Sequence, residues 1–204
     1  MCYRCFWPEA LCWCASIQSI ETETRFLFLM HPKEFKKEKA GTGRLTHLCL
    51  ANSAIHMGVG FDDDPEVQRA LHDPAYMPVL VYPAANARNL SDDTRLAEDL
   101  NGRRLLVVLL DGTWNCARKM LRVSSSLQRL PRVMFNAGAV SRFFIKQQPQ
   151  AGCLSTLETT HELLAALEKL GVDRYPRREQ LLDLFARMQQ VQIKRSEEHT
   201  SELQ

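Results

Sequence analysis

The sequence predicts an α/β fold, a parallel sheet flanked by helices, with a small cysteine-bearing segment at its N-terminus. Three observations predict it. Leu105 to Leu110 is an aliphatic run without polar alternation, the pattern of a strand covered on both faces. Amphipathic stretches that follow Trp114, Ser155 and Arg177 read as helices. Four of the seven cysteines lie within the first 14 residues, a spacing that suits a metal better than a disulfide framework.

The chain has 204 residues, 45% of them hydrophobic, which is enough for one sizeable core and a small appendage. No run approaches the roughly 18 apolar residues of a membrane span. The first residues lack the basic-then-apolar order of a signal peptide, so the expected setting is cytoplasmic. The last ten residues, Arg195 to Gln204, match a frame of a common sequencing-library adapter. They are expected to be a non-native tail that packs against nothing. Without that decamer 25 basic residues face 21 acidic ones and the net charge rises from +2 to +4, a mild excess that permits nucleic acid as a partner.

Cys2-x2-Cys5-x6-Cys12-x-Cys14 comes first. Four thiolates satisfy a tetrahedral Zn²⁺, so residues 1–20 are expected to form a zinc knuckle. Such a loop can fold around a metal without a core of its own. Arg25 to Met30 is a strand that should end before Pro32. Lys36, Lys37 and Lys39 form either a solvated face or a phosphate contact. Gly41-Thr42-Gly43-Arg44-Leu45 matches neither common phosphate-loop pattern and reads equally as a turn opening a helix. His47 and His56 lack metal-ligand spacing. Asp62-Asp63-Asp64-Pro65 is expected to be a solvated loop, Pro78 to Pro83 a short strand, and Ser91 to Asn101 a surface loop or helix.

The apolar run then ends at Asp111, where Gly112 permits a sharp turn into a helix from Trp114 to Leu121. Asp111 thus stands at the carboxyl end of a buried strand, where open α/β sheets bind ligands. The same position allows it to cap the helix, and the sequence leaves both roles open. Arg132 to Gly138 is a further strand and turn. Ser155-Thr156-Leu157-Glu158 has the form of a capping box. It opens a helix to about Leu170, with Leu157, Leu163, Leu164, Leu167 and Leu170 in a stripe. A last helix spans about Arg177 to Lys194, with Leu181, Leu182, Leu184, Phe185, Met188 and Val191 inward.

In this order the four cysteines, His31-Pro32-Lys33-Glu34 with Gly41 to Leu45, Asp111-Gly112-Thr113-Trp114 with Ala117 and Lys119, and Ser155 to Glu158 resemble the DTW-domain family, named for an Asp-x-Thr-Trp type motif. The resemblance covers nearly all of Cys2 to Lys194. It implies a SPOUT-like α/β-knot domain over residues 21–194. Characterised members are similar to tRNA-uridine aminocarboxypropyltransferases, related to methyltransferases of that fold and to a ribosomal-RNA aminocarboxypropyltransferase. The resemblance implies transfer of the 3-amino-3-carboxypropyl group of S-adenosylmethionine to N3 of a tRNA uridine, with variable-loop uridines favoured. The alternatives are methyl transfer, a ribosomal-RNA target, or a zinc-bearing RNA-binding protein without catalysis.

On that reading Asp111 is the base or orienting carboxylate. The cofactor-binding residues are Thr113, Trp114, Ser155, Thr156 and Glu158. Trp114 packs either in the core or against a sulfonium or base face. The helix start at Ser155-Thr156 offers backbone N–H groups to the methionine carboxylate, and Glu158 is placed for the amino group. Zn²⁺ is expected on Cys2, Cys5, Cys12 and Cys14, with Cys49, Cys116 and Cys153 as free thiols.

Overall fold

The structure is a computed structural model. It describes residues 1–37, 41–93, 95–136 and 154–201, without the side chains of residues 36, 37 and 194–201. The elements, in chain order, are β1 (Arg25–Met30), α1 (Pro32–Lys37), α2 (Thr42–Cys49), β2 (Ser53–Met57), α3 (Pro65–Leu71), β3 (Tyr76–Val81) and β4 (Arg88–Asn89). They continue with α4 (Leu96–Leu100), β5 (Arg104–Asp111), α5 (Trp114–Arg122), α6 (Ser125–Gln128), β6 (Arg132–Met134), α7 (Thr156–Lys169) and α8 (Arg178–Ser201). The strands form one sheet in the order β2-β1-β5-β3-β6-β4. Each neighbouring pair is parallel.

β5 is flanked along its length by β1 and β3, as its unbroken apolar run requires. The strand period of two sends Phe26, Phe28, Leu105, Val107 and Leu109 into one core layer, shared with α2, α4, α7 and α8. Leu27, Leu29, Leu106 and Val108 enter the other, shared with α3, α5 and α6. Each such side chain contributes roughly 1.5–3 kcal/mol on burial, and both layers converge on β5.

The N-terminal segment does not stand apart. Trp7 and Trp13 are buried in the first core layer with their ring centroids 4.0 Å apart. α8 straps the segment down. The Gln180 side chain accepts from the Gln18 N–H at 3.0 Å and donates to its carbonyl at 2.7 Å. Arg177 donates to the Ser19 carbonyl at 3.0 Å. The loop therefore borrows the core of the sheet domain.

Several elements depart from the sequence expectation, each for a local reason. β2 is a half-buried strand beside β1, with too little hydrophobic contrast along Ser53 to Met57 to be read from sequence. β3 begins at Tyr76 and tolerates Pro78 because β6 reaches only Leu80 and Val81. Pro78 therefore lacks a donor only where no second neighbour needs one. Asp62 and Asp64 are engaged rather than merely solvated. Asp64 caps α3, accepting from the N–H groups of Glu66 and Val67 at 3.0 Å. Asp62 accepts from the hydroxyls and backbone N–H groups of Ser126 and Ser125 at 2.6 to 2.9 Å. Those donors, Ser126 foremost, hold its carboxyl well below the usual carboxylate range. α8 runs on to Ser201 instead of ending at Lys194, since no glycine or proline interrupts it.

Lys39, Cys153, the Gly138 end of the expected last strand and the expected knot fall wholly or partly outside the described residues. Among the described residues no helix is long and apolar enough to cross a membrane.

Two histidines make the fold sensitive to acid. Burial lowers the affinity of His31 and His47 for a proton, helped by Lys33 and Lys119 at His31 and by Arg44 at His47. The unfolded chain takes up protons near pH 6.5, before the folded chain does. Stability should therefore fall as pH drops through about 6.5 and below. Urea midpoints measured from pH 7.5 to 5 should show that decline, and His47→Gln should flatten it.

Candidate active site

The carboxyl ends of β1, β3, β5 and β6 converge on one region, and Asp111 lies at its centre. Leu105, Val107 and Leu109 point to the α2 and α7 layer, so the next residue of that parity, Asp111, points there too. The N–H of His31 donates to the Asp111 carbonyl at 2.9 Å, which extends the β1–β5 ladder past Met30 and fixes the backbone. The Asp111 side chain is only 8% exposed. Its Oδ1 accepts a 2.5 Å hydrogen bond from the Thr156 hydroxyl in the first turn of α7.

α2 closes the other side. A Cβ on Gly43 would lie 2.4 Å from Asp111 Oδ2, so the carboxylate occupies the space that a side chain there would need. The next residue, Arg44, has its guanidinium carbon 4.2 Å from the Phe6 ring centre and 4.5 Å from that of Phe35. Burial lowers the Arg44 pKa, while the negative Asp111 nearby opposes that shift. The cysteine-bearing loop thus supplies one of two rings that clamp a cation beside the strand-end carboxylate.

The two roles that the sequence left open for Asp111 separate here. The helix cap is Thr113, whose hydroxyl accepts from the Cys116 N–H at 3.4 Å. Asp111 faces α2 and α7 instead. Gly112 makes the turn between them, where a Cβ would come within 3.1 Å of Cys116 and 3.3 Å of His31. Trp114 is not a core residue; it is 37% exposed and meets Tyr82 edge-on at 6.0 Å.

At the start of α7 the capping box is complete. Ser155 Oγ accepts from the Glu158 N–H at 3.3 Å, and Glu158 Oε2 accepts from the Ser155 N–H at 2.9 Å. Glu158 is buried. By helix geometry the donors left at this end are the N–H groups of Thr156 and Leu157.

A cavity of about 540 Å³ opens beside these groups, a size usual for small-molecule sites. Its wall is mixed, with the apolar Leu109, Val133 and Phe135 among its residues and polar atoms from Thr156 and Thr159 of α7. Trp114 and Tyr82 stand together on the α5 side. Of the residues predicted from sequence, Trp114 and Thr156 line the cavity. Asp111 lies directly behind Thr156. Thr113, Ser155 and Glu158 are occupied with helix starts.

The four N-terminal thiols form a separate cluster, with all sulfurs within 4.8 Å of one another. Cys2 and Cys14 are 3.8 Å apart, Cys5 and Cys12 3.7 Å. A tetrahedron with Zn–S bonds of about 2.3 Å has S···S edges of about 3.8 Å. Backbone N–H groups of Cys5 and Arg4 bring Cys2 down to about 6, whereas burial pushes Cys14 up to about 12. Four cysteine sulfurs at this spacing could hold a metal ion, and a divalent soft-ligand ion fits the donor set. Cys49 and Cys116 are free thiols.

The model of the DTW domain matches residues 1–193. The chain belongs to the DTW domain family. It is 31% identical over 174 residues to tRNA-uridine aminocarboxypropyltransferase 2 of Drosophila melanogaster, covering 82% of this chain and 66% of that protein. Against tRNA-uridine aminocarboxypropyltransferase 2 of Mus musculus the identity is 30%, covering 82% of this chain and 56% of the relative. With tRNA-uridine aminocarboxypropyltransferase A of Arabidopsis thaliana it is 24%, over 84% of this chain and 74% of that one. The chain therefore spans less than two thirds of the mouse relative and about two thirds of the fly one. No solved structure matches the chain.

In this DTW domain the family motifs meet at one point. Gly41 to Arg44, Asp111 to Trp114 and Ser155 to Glu158 are distant in sequence and adjacent at the strand ends. Gly43, Arg44 and Tyr82 were not assigned roles by sequence reasoning. A glycine inside the first turn of a helix is a sign of close approach, and was the available signal for Gly43. The ring clamp on Arg44 leaves no local trace in sequence. Gly43→Ala should destabilise the fold by about 1–3 kcal/mol through overpacking against Asp111. Gly60→Ala, whose Cβ would have its nearest neighbours at 3.7 Å, should stay within about 0.5 kcal/mol. Urea unfolding of both variants checks the contrast.

Proposed function

We propose that this chain is a tRNA-uridine aminocarboxypropyltransferase that uses S-adenosylmethionine and N3 of a tRNA uridine. The observation that carries the proposal is the buried Asp111, held by Thr156 beside the strand-end cavity, in a chain of the DTW family whose curated relatives bear that name. Residues 21–194 form the catalytic domain and residues 1–20 its metal-binding knuckle. The free thiols among the described residues suit the reducing cytoplasm.

S-adenosylmethionine, when bound, supplies an electrophilic carbon and a sulfur leaving group, so that methylthioadenosine departs. The protein's part is to choose which of the three carbons on sulfur meets the nucleophile, a matter of position. The apolar residues of the cavity wall, Leu109, Val133 and Phe135, receive the nucleoside part. Trp114 and Tyr82 present ring faces and edges to a positive centre or a base. The Thr156 and Leu157 N–H groups at the start of α7 receive the methionine carboxylate, a role that leaves the capping box intact. Glu158, tied to the Ser155 N–H, shapes this end and stands on the side of the amino group. Asp111 accepts or orients the uridine N3 proton, directly or through the Thr156 hydroxyl. A general base is worth about 10²–10⁴-fold in rate.

The decisive experiment incubates the protein with S-adenosylmethionine and unmodified tRNA and follows the released nucleoside. Methylthioadenosine is expected. S-adenosylhomocysteine would indicate methyl transfer, and neither product would leave a binding protein. Asp111→Asn keeps an oxygen for the Thr156 hydroxyl but loses the basic carboxylate. It should lower turnover about 10²-fold or more while melting and S-adenosylmethionine binding stay near wild type. Near-normal turnover would remove Asp111 from the mechanism.

The knuckle is assigned one Zn²⁺ on Cys2, Cys5, Cys12 and Cys14. Elemental analysis should find one zinc per chain in the wild type and well below one in Cys5→Ser. Because Phe6 lies between these ligands and against Arg44, metal loss should also loosen the Arg44 clamp.

A further inference from the structure

A second concavity lies beside the first. It is about 630 Å³ and is lined by Arg118, Lys119 and Arg122 of α5, Arg132 of β6, and the polar or aromatic Asn115, Gln128 and Tyr82, with Leu121. The whole chain carries a net charge of only +2. Here four cations line one groove, and no carboxylate lines it.

Local structure explains part of this charge and leaves the rest. Lys119 and Arg122 lie in the last turn of α5, where cations complement the helix dipole. Arg118 and Arg132 have no such reason to be there. Arg118 donates to Asn115 at 2.5 Å, and Arg132 lies 5.7 Å from the centre of the Tyr82 ring. Among the described residues none of the four cations is in an ion pair. The Gln128 amide donates to the carbonyls of Leu121 and Arg122 at 3.0 and 2.9 Å, so the end of α5 is already closed without them.

The groove borders the candidate active site. Tyr82 lines both concavities. Trp114, Arg118 and Arg122 recur at four-residue intervals and so share one face of α5. A chain lying along that face passes from the arginines to the exposed Trp114 ring at the cavity.

We propose that this groove binds the phosphodiester backbone of single-stranded or loop RNA next to the target uridine and delivers the base past Trp114 and Tyr82 into the cavity. Cations that track a backbone, ending at an aromatic platform, are the composition of a strand-binding groove. The inference rests on the RNA-modifying reading above and gives that reading a route of entry for the substrate.

The test measures anisotropy of a labelled, unmodified tRNA transcript with wild-type protein across a salt series, with methylthioadenosine release followed in parallel. The test protein carries Arg118→Gln, Arg122→Gln and Arg132→Gln together. A control carries Arg95→Gln and Arg103→Gln, neither of which lines the groove. Each lost contact to single-stranded RNA should reduce the slope of log affinity against log salt by about 0.7. The triple variant should thus lose about 2 from the slope and bind at least tenfold more weakly at moderate salt. Its melting temperature and S-adenosylmethionine binding should be unchanged, and the control should keep the wild-type slope. If the triple variant does not fold, Arg118→Glu with Arg122→Glu leaves β6 untouched and serves the same measurement. A wild-type slope in a folded variant would overturn the groove, even where methylthioadenosine is released and the catalytic reading stands. Loss of slope in a protein that releases no methylthioadenosine would support the groove and overturn the catalytic reading. Failure of the wild type to bind tRNA would overturn both.

Discussion

The arrangement depends on the burial of β5 on both faces. Because Leu105 to Leu110 cannot face water on either side, two helical layers must cover the strand, and β1 and β3 must satisfy its edges. The position of Asp111 is then set by parity. It is the first charged residue after the apolar run and falls on the α2 and α7 side. The carboxylate can stay there because Thr156 donates to it and Gly43 gives it room. A buried carboxylate without such partners would be costly, so the core strand and the polar site form one structural unit.

A consequence is that structural and chemical duties are divided among neighbouring residues. Thr113, Ser155 and Glu158 hold helix starts. Thr156 and Trp114, one residue further along in two of those motifs, face the cavity. A helix start needs a side-chain acceptor at the cap and leaves backbone donors in the first turn. The same short motif can therefore fix the helix with one residue and meet a ligand with the next.

The cysteine-bearing loop is joined to this site by packing. Phe6 and Phe35 both pack against Arg44, while Trp7 and Trp13 enter the core and the loop is held by Gln180 of α8 and by Arg177 just before it. The thiol geometry that suits a tetrahedral ion thus also sets one wall of the Arg44 clamp. The loop is a buttress of the sheet domain and shares its core.

The sequence alone determined the central strand, the clustering of four cysteines and the helix starts at Trp114 and Ser155, because these depend on residue type at short spacing. The six-residue run identified the central strand, and Ser155-x-x-Glu158 identified a capping box that is present in full. The order of motifs also pointed to the family. The weak strand β2, the start of β3 and the partners of Asp62 were not legible, since each is decided by a neighbour remote in sequence. The same holds at the site. Whether Asp111 was a cap or a buried carboxylate, whether Trp114 was core or rim, and why Gly43 and Arg44 matter could be decided only in three dimensions. Each answer is a distance between side chains on different elements. Those distances follow from how α2, α5 and α7 dock on the sheet, which no local pattern encodes.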